Sequence, residues 1–552
     1  MNQPTAPQYA GFELLQERQT RGIIGRFLLT LRHLLGLFFG GLAAYIRGRK
    51  AEGEGGSPEV LLLRFLFIFI WPFLDKQIAA QPFPVQFRRR LELLGPTYIK
   101  LGQILSLRED LLPKPLTDEL KNLLDRLPVV NFERYRELVE ADLERPLDTI
   151  FQWIDPIPLG SASLAQTHRA RLLTREHVVI KLLKPGVRKT IERDTKLLRL
   201  FGRILQLFLG RYQPARLINE FCTYTLREVD FNFEANNAET FAANFRDEPD
   251  IRFPKIYHQF STSNVLCMEF FRGVKPDAEA QRVLTEQEKD KVIRLGVSAI
   301  VRMIFRDGFF HADLHPGNLI IFEDARVGFI DLGMVGRFDQ DMQKRMFYYF
   351  YSLVTGDSAN AARYLAAMAI PGQKSDPDGF RRAVAELYWR WLRSPTFHEF
   401  SLAQVILQSV MLAGQYHIQY PGELILMVKA LVTVEGVGNL LHPGLDVTGV
   451  ARSPVQKILR QQFNPIDIFT RSIIAVPELI DILTLAPQVL NEGIRYLENN
   501  LRRSPPRRLS GISGAVFAGL CLVAAALIVS LGGPWPLWLL LFMLGIIVAF
   551  RG

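Results

Sequence analysis

The feature that most constrains the fold is a short acidic loop, His311-Ala312-Asp313-Leu314-His315-Pro316-Gly317-Asn318, followed at a fixed distance by a second acid. Asp313 and Asn318 stand five residues apart, with Pro316-Gly317 supplying the bend between them. Eighteen residues after Asp313, at the end of the apolar stretch Val327 to Ile330, comes Asp331-Leu332-Gly333. Either element alone is common. In this order and spacing they form the acidic half of a phosphoryl-transfer site: one acid at the attacking oxygen, and an amide and a second acid for a metal ion on the phosphates. An acid at a strand end before a permissive glycine suits a magnesium ligand on a turn.

Such chemistry also needs a cation upstream, on a strand facing the phosphates. Val178-Val179-Ile180-Lys181 is a β-branched run ending in lysine, closed by the turn signal Lys184-Pro185-Gly186. A glutamate on a following helix should pair with Lys181. Glu228, Asp230 and Glu234 all lie on one segment, and spacing alone does not choose among them. No GxGxxG precedes the lysine strand. The chain offers instead Pro158-Leu159-Gly160-Ser161-Ala162-Ser163-Leu164-Ala165-Gln166, whose small residues permit close backbone approach to phosphate with less freedom than glycine has.

The 552 residues exceed one ordinary core. Helical spacing at Leu91, Leu94, Tyr98, Leu101 and Leu105, with Gly95-Pro96 as a start signal, predicts helices from 86 to 144. Two or three antiparallel strands come next between 149 and 183, then helix over 194–245, a strand at 264–270, and a mostly helical half holding the acidic loop and a strand at 326–331. The fold class expected is α+β: a two-lobed protein-kinase-like fold with an N-terminal helical extension and a C-terminal transmembrane helical hairpin. Its expected parts are an N-terminal, membrane-proximal region with interfacial helices (1–85), the helical extension (86–148), a sheet lobe (149–270) and a helical lobe (271–445). C-terminal helices with a basic linker (446–508) then lead to the hairpin (509–552).

The hairpin is read from charge. From Leu509 to Phe550 there is no charged residue, enough for two crossings of ~20 residues, and Gly532-Gly533-Pro534-Trp535-Pro536 breaks the run as a turn. Ala515 and Gly519 are spaced for close helix approach. Arg502, Arg503, Arg507 and Arg508 before the run and Arg551 after it place both ends on the cytoplasmic side. The shorter stretches Leu34 to Ile46 and Val60 to Leu74 suit interfacial or core helices. Net charge is +10, concentrated at Arg47-Gly48-Arg49-Lys50, Arg88-Arg89-Arg90 and Arg502 to Arg508. Two of these three clusters flank apolar stretches, which favours lipid head groups as partners. Nucleic acid is not expected, since no zinc-finger spacing or RNA-binding aromatic signature occurs. Cys222, Cys267 and Cys521 are far apart and form no CxxC pair, so neither a disulfide framework nor a zinc site is expected.

These residues resemble the UbiB/ADCK family of atypical kinase-like proteins. Lys100-Leu101-Gly102-Gln103 matches its KxGQ signature, followed by Ser106-Leu107-Arg108-Glu109-Asp110-Leu111-Leu112-Pro113, and Glu228-Val229-Asp230 matches its ExD. Gly160-Ser161-Ala162-Ser163 corresponds to its alanine-rich nucleotide loop, with Gly at the first position in place of the commoner alanine. Glu435-Gly436 matches a segment late in the same region. The resemblance covers roughly 91–443 and extends to the hairpin.

The resemblance implies that Glu234 partners Lys181, and that Gly160, Ser161, Ala162, Ser163, Lys181 and Met268 contact ATP. It implies that Asn318 and Asp331 hold Mg²⁺, and that Asp313, Lys181 and Glu234 carry the chemistry. Lys100, Gln103, Glu228 and Asp230 become a regulatory set, a helix laid over the pocket where a protein substrate would dock. The function it implies is that of an ATPase at the bacterial inner membrane, multi-pass, with its catalytic domain cytoplasmic, supporting ubiquinone-type biosynthesis. Its partners would be membrane lipids, prenyl-lipid or quinone intermediates and enzymes of quinone biosynthesis. Two rival readings are a small-molecule phosphotransferase of the aminoglycoside or choline kinase type, which shares the His-x-Asp-x-His-x-x-Asn loop, and a catalytically silent lipid-binding scaffold switched by ATP.

Overall fold

A computed structural model describes residues 22–51, 75–106, 112–123, 129–208, 214–372, 375–393 and 402–442, with isolated positions at 450, 454 and 542–543. The chain divides into two compact units, 1–461 and 462–552. The second contains the expected hairpin, which lies outside the described residues apart from Phe542 and Met543, both helical and exposed.

The N-terminal helix α1 (Ile23–Ala51) is longer than the apolar run at 34–46 suggested. Arg26, Arg32 and His33 interrupt the hydropathy but not the helix. Arg26 and His33, with Thr30, are buried against the rest of the unit, and Arg26 pairs with Asp194 at 2.6 Å. The second apolar stretch, 60–74, lies outside the described residues. Next come α2 (Phe83–Leu94) and α3 (Pro96–Leu105), separated at Gly95, whose φ of +94° turns the chain between them. The cluster Arg88-Arg89-Arg90 is not a free phosphate-binding patch. Arg88 bonds Glu92 and Glu119, Arg89 bonds Glu92, and Arg90 is buried. Helix α4 (Lys114–Leu120) completes this group, whose core joins Leu91, Leu94, Tyr98 and Leu120 to Leu198 and Phe221 from helices further along.

Helix α5 (Phe132–Leu143), expected as part of the extension, packs on the sheet instead. The sheet is antiparallel and runs in the order β1 (Phe151–Ile154), β3 (Ala165–Leu172), β4 (His177–Leu183), β6 (Val265–Glu269), with the two-residue β2 (Gly160–Ser161) on β3. Alternation sorts its residues. Val178, Ile180, Leu182, Val265 and Cys267 face α5, and Tyr135 on that helix donates its hydroxyl to the Ile180 carbonyl at 2.8 Å. Val179, Lys181, Leu266 and Met268 point the other way, into the cleft. Cys222 and Cys267 are buried free thiols, and Cys521 is outside the described residues.

Three helices intervene between β4 and β6: α6 (Val187–Phe208), α7 (Pro214–Glu228) and α8 (Phe231–Asn244). Phe231, Ala235, Ala238 and Phe241 on α8 are buried against the cleft face of the sheet. A two-residue strand between α8 and β6, β5 (Ile251–Arg252), had no sequence signal. The helical lobe is built on α9 (Glu286–Phe305), whose start is fixed by a capping box between Thr285 and Glu288. Two small sheets flank the acidic loop: β7 (Phe309–His311) with β10 (Val335–Arg337), and β8 (Leu319–Ile321) with β9 (Val327–Phe329), which β5 joins in parallel. Helices α10 (Gln340–Val354), α11 (Ser358–Ala367), α12 (Pro377–Arg393), α13 (Leu402–Leu412) and α14 (Gly422–Leu441) complete the lobe. Two described helical stretches, Ile23–Gly41 and Gly422–Leu441, are long and apolar enough to cross a membrane. In α14, however, Leu424, Leu426, Met427, Val428 and Ala430 are packed into the lobe's own core.

Candidate active site

The site forms where β4, α7, α8 and the acidic loop converge. Lys181 extends from β4 and donates to both Glu234 oxygens at 2.9 Å and to Asp331 Oδ1 at 3.0 Å. The structure thus selects Glu234, from α8, among the three acids that spacing left open. Its position is set one turn earlier: the Asp230 side chain accepts from the Asn232 N–H and caps α8, so Glu234 lies in the first turn, facing the sheet. Burial pushes Glu234 up, to about 7. Asp331, whose side chain is half exposed, is held below the usual carboxylate range by Lys181. Burial would lower Lys181, but Asp331 and Glu234 together hold its ammonium well above the ordinary value.

The backbone at Asp331 has φ +57°, a left-handed conformation that Asp and Asn adopt more readily than other side chains. It turns the carboxylate back toward the lysine. The strand end is tied down on both sides: Ile330 N–H donates to the Asn318 carbonyl, and the Asn237 amide donates to the Leu332 carbonyl. Loop and turn are therefore one hydrogen-bonded unit, in agreement with reading the two motifs together.

Within the loop, buried His311 accepts from the Asp313 N–H through Nδ1 and reaches the Ile330 carbonyl through Nε2 at 3.4 Å, so each ring nitrogen has a role in the neutral form. Burial lowers its pKa. Asn318 donates its amide to the Asp313 carbonyl at 3.0 Å. Asp313 itself meets Lys429 from α14, at 2.8 Å. Burial alone would raise Asp313, yet Lys429 and Lys100 together hold it well below the carboxylate range.

Sequence reasoning misses Lys429, which belongs to no motif and lies 116 residues from its partner. The one signal is a lysine inside the apolar stretch Leu424 to Val432 of a helix whose other charged residues are Glu423 and Glu435.

Lys100, on α3, pairs with Glu228 at the end of α7, at 2.7 Å. Burial raises Glu228, Lys100 opposes this, and the nearby charges of Asp313 and Asp331 reinforce it. The KxGQ lysine therefore acts in the same electrostatic field as the acidic loop. Gly102 explains the third position of that motif. A Cβ there would stand 2.3 Å from a Leu123 methyl and 2.7 Å from a Leu91 methyl, so a larger residue would force these two buried leucines to shift. Gln103, half-buried, lies on the same helix. The expected pairing of two polar residues on α3 with two acids is met at Lys100–Glu228, while Asp230 serves as the α8 cap.

Over the cleft, β2 and β3 form a hairpin in which Ala162 N–H donates to the Ala165 carbonyl, with Ser163 and Leu164 at its tip. Lys184 pins it by donating to the Ala162 carbonyl at 2.6 Å. Ser161 Oγ is buried and meets no protein partner, and a Cβ at Gly160 would touch nothing. Met268 pairs with Val179 in the β4–β6 register, on the same face as Lys181.

The donor set fits Mg²⁺ with a nucleotide. Asn318 and Asp331 offer oxygen ligands, and magnesium with few protein ligands draws the rest from phosphates and water.

A small antiparallel sheet over a helical lobe, a strand lysine paired with a helix glutamate, and an Asp/Asn loop before a second Asp together define an atypical protein-kinase-like domain. Residues 122–365 match the ABC1 atypical kinase-like domain and residues 392–446 match the UbiB helical domain. The probable protein kinase UbiB of Azotobacter vinelandii is 30% identical over 489 residues, 86% of this chain and 90% of that protein. That of Xanthomonas euvesicatoria is 29% identical over 506 residues, 86% and 89% of the two chains. A solved structure titled "The complex structure of Rv3197-erythromycin from Mycobacterium tuberculosis" aligns over 64% of this chain and 90% of its own, at 22% identity and a TM-score of 0.45. The chain belongs to the UbiB family of atypical kinases.

Proposed function

We propose that this chain is a membrane-anchored ATPase of kinase-like fold that supports isoprenoid-quinone biosynthesis of the ubiquinone type, coupling Mg-ATP hydrolysis to the handling of prenyl-lipid intermediates. The observation that carries the ATP reading is the convergence of Lys181, Glu234 and Asp331 in one set of contacts of 2.9–3.0 Å. The quinone role rests on the relatives' name, probable protein kinase UbiB.

In this reading Lys181 binds the nucleotide phosphates and Glu234 fixes the lysine. Asn318 and Asp331 are the residues that would hold Mg²⁺, which supplies charge neutralisation across the phosphates when bound. Asp313 orients the attacking oxygen, water rather than a protein hydroxyl. The hairpin of small residues Gly160 to Ser163 lies against the phosphates, and Met268 lines the nucleotide pocket from the neighbouring strand. Helix α3, with Lys100 held by Glu228 beside the acidic loop, occupies the side from which a protein substrate would approach. That favours water or a lipid intermediate over a protein acceptor. The proposed anchor is the uncharged run 509–550 at the inner membrane, with the catalytic unit cytoplasmic.

The test is turnover. Purified full-length protein in detergent or vesicles should hydrolyse ATP in the presence of Mg²⁺, and Asp331→Asn should lower the rate by at least ~10²-fold. Asparagine keeps the left-handed backbone accessible, so the loss reports on charge. Unchanged turnover in the variant removes the metal assignment. Lipid analysis of a strain lacking the protein tests the pathway, and normal quinone levels would reject it.

A further inference from the structure

The acids of the site all lie within the kinase-like match, 122–365, whereas Lys429 lies in the separate helical-domain match, 392–446. It is the one lysine of α14, whose flanking residues Leu426, Met427, Val428 and Ala430 are buried in the core. Its Nζ stands 2.8 Å from Asp313 Oδ1, and the two side chains are 30% and 33% exposed. A partly exposed ion pair of this kind adds little to stability, so packing does not account for a lysine here. Lys181 is engaged by two carboxylates and Lys100 by buried Glu228. Lys429 makes its ion pair with Asp313, the acid that the ATPase reading puts at the attacking oxygen.

Transfer of a γ-phosphoryl group spreads negative charge over its outer oxygens, and a cation placed there from the same chain accelerates the step strongly. We propose, on the ATPase reading above, that Lys429 is that cation: α14 supplies its ammonium to the γ-phosphoryl oxygens beside Asp313. An ammonium has three donors, so Lys429 keeps its bond to Asp313 while gaining one to phosphate. A water oxygen forms the bond to the γ-phosphorus, and the bond from that phosphorus to the β–γ bridging oxygen breaks. The electron pair leaves with ADP, and the proton of the attacking water passes to Asp313 and from there to solvent. Lys429 stays protonated throughout. The helical domain thereby completes the catalytic site as well as bracing it.

Full-length Lys429→Met and Lys429→Arg proteins, matched to the wild type in thermal unfolding, are compared with Mg-ATP. The expected result for Lys429→Met is a fall in kcat of ~10²- to 10³-fold, with KM for ATP changed less than about threefold. Lys429→Arg should recover about tenfold of that loss, since it restores the charge but not the geometry. Binding of Mg-ADP with aluminium fluoride, a mimic of the transferring group, should weaken in Lys429→Met while binding of Mg-ADP alone does not. Unchanged or raised kcat, or a rise in KM that accounts for the whole loss, overturns the proposal. If Lys429→Met does not fold, Lys429→Gln is read by the same criteria. If the wild type itself turns over no ATP, the ATPase reading fails. Lys429 is then judged on the aluminium fluoride complex alone, where equal affinity in wild type and variant overturns it and a selective loss supports it.

Discussion

His168 shows how a single residue can couple the sheet to pH. It is buried on β3 against Tyr135, ring centroids 4.1 Å apart, with Nδ1 at 2.7 Å from the Asp155 carbonyl and Nε2 at 2.9 Å from the Gln166 amide. Gln166 Nε2 also donates to the Val130 carbonyl, so its second hydrogen points at His168, which must accept there and donate to Asp155. Accepting from Gln166 needs the neutral ring, whereas the donation to Asp155 survives protonation; burial, the larger effect, lowers the pKa. The folded value therefore lies below the unfolded one, near 6.5. The contribution to stability is complete above that value and is lost as pH falls below it toward the folded pKa. Denaturant unfolding as a function of pH should show this, with a slope of up to about 1.4 kcal/mol per pH unit from this group. In His168→Asn the slope below pH 6.5 should diminish by that contribution; an unaltered slope would mean that His168 does not take up a proton on unfolding.

Among the elements, α8 links stability to the site. Its cap, Asp230, fixes where the helix begins and so where Glu234 meets Lys181. Asp230→Ala should destabilise the protein by about 1 kcal/mol, while Asp230→Asn, an equal capping residue, should keep most of that. Thermal unfolding separates the two. If Asp230 serves only the cap, nucleotide affinity should follow the stability order. A weakened Asp230→Asn with intact stability would show a separate role toward α3. Helix α14 makes the complementary case: its apolar face belongs to the core, and its one lysine reaches 2.8 Å from Asp313. An element that passes for a membrane span by length and hydropathy thus serves the cleft.

For the whole molecule, the 1–461 unit and the anchor proposed at 509–552 should have separable roles. Removal of residues 509–552 should release the protein from sedimenting vesicles and leave Mg-ATP binding to the 1–461 unit within about threefold, because every described site contact lies inside that unit. Flotation with vesicles and a nucleotide-binding titration measure the two properties separately. Retention on vesicles after the deletion would move the anchor elsewhere, with α1 and its exposed Ile24 and Leu28 the next segment to test.

Local order was legible in the sequence wherever the chemistry is local. Asp313, Asn318 and Asp331 lie within one short stretch, so their order and spacing can be read together, and the β-branched run Val178-Val179-Ile180 marked the strand that ends in Lys181. The start signal at Gly95-Pro96 needs only neighbouring residues. What the tertiary structure decided were pairings across long separations. It chose Glu234 among three acids, gave Asp230 to a helix cap, took Arg88 and Arg90 out of the free surface charge, and set α5 on the sheet. Above all it brought Lys429 to Asp313. A side chain's partner depends on which helix face packs inward and how far along its neighbour it sits. Those quantities arise from the summed burial of the core, and no local run of residues encodes them.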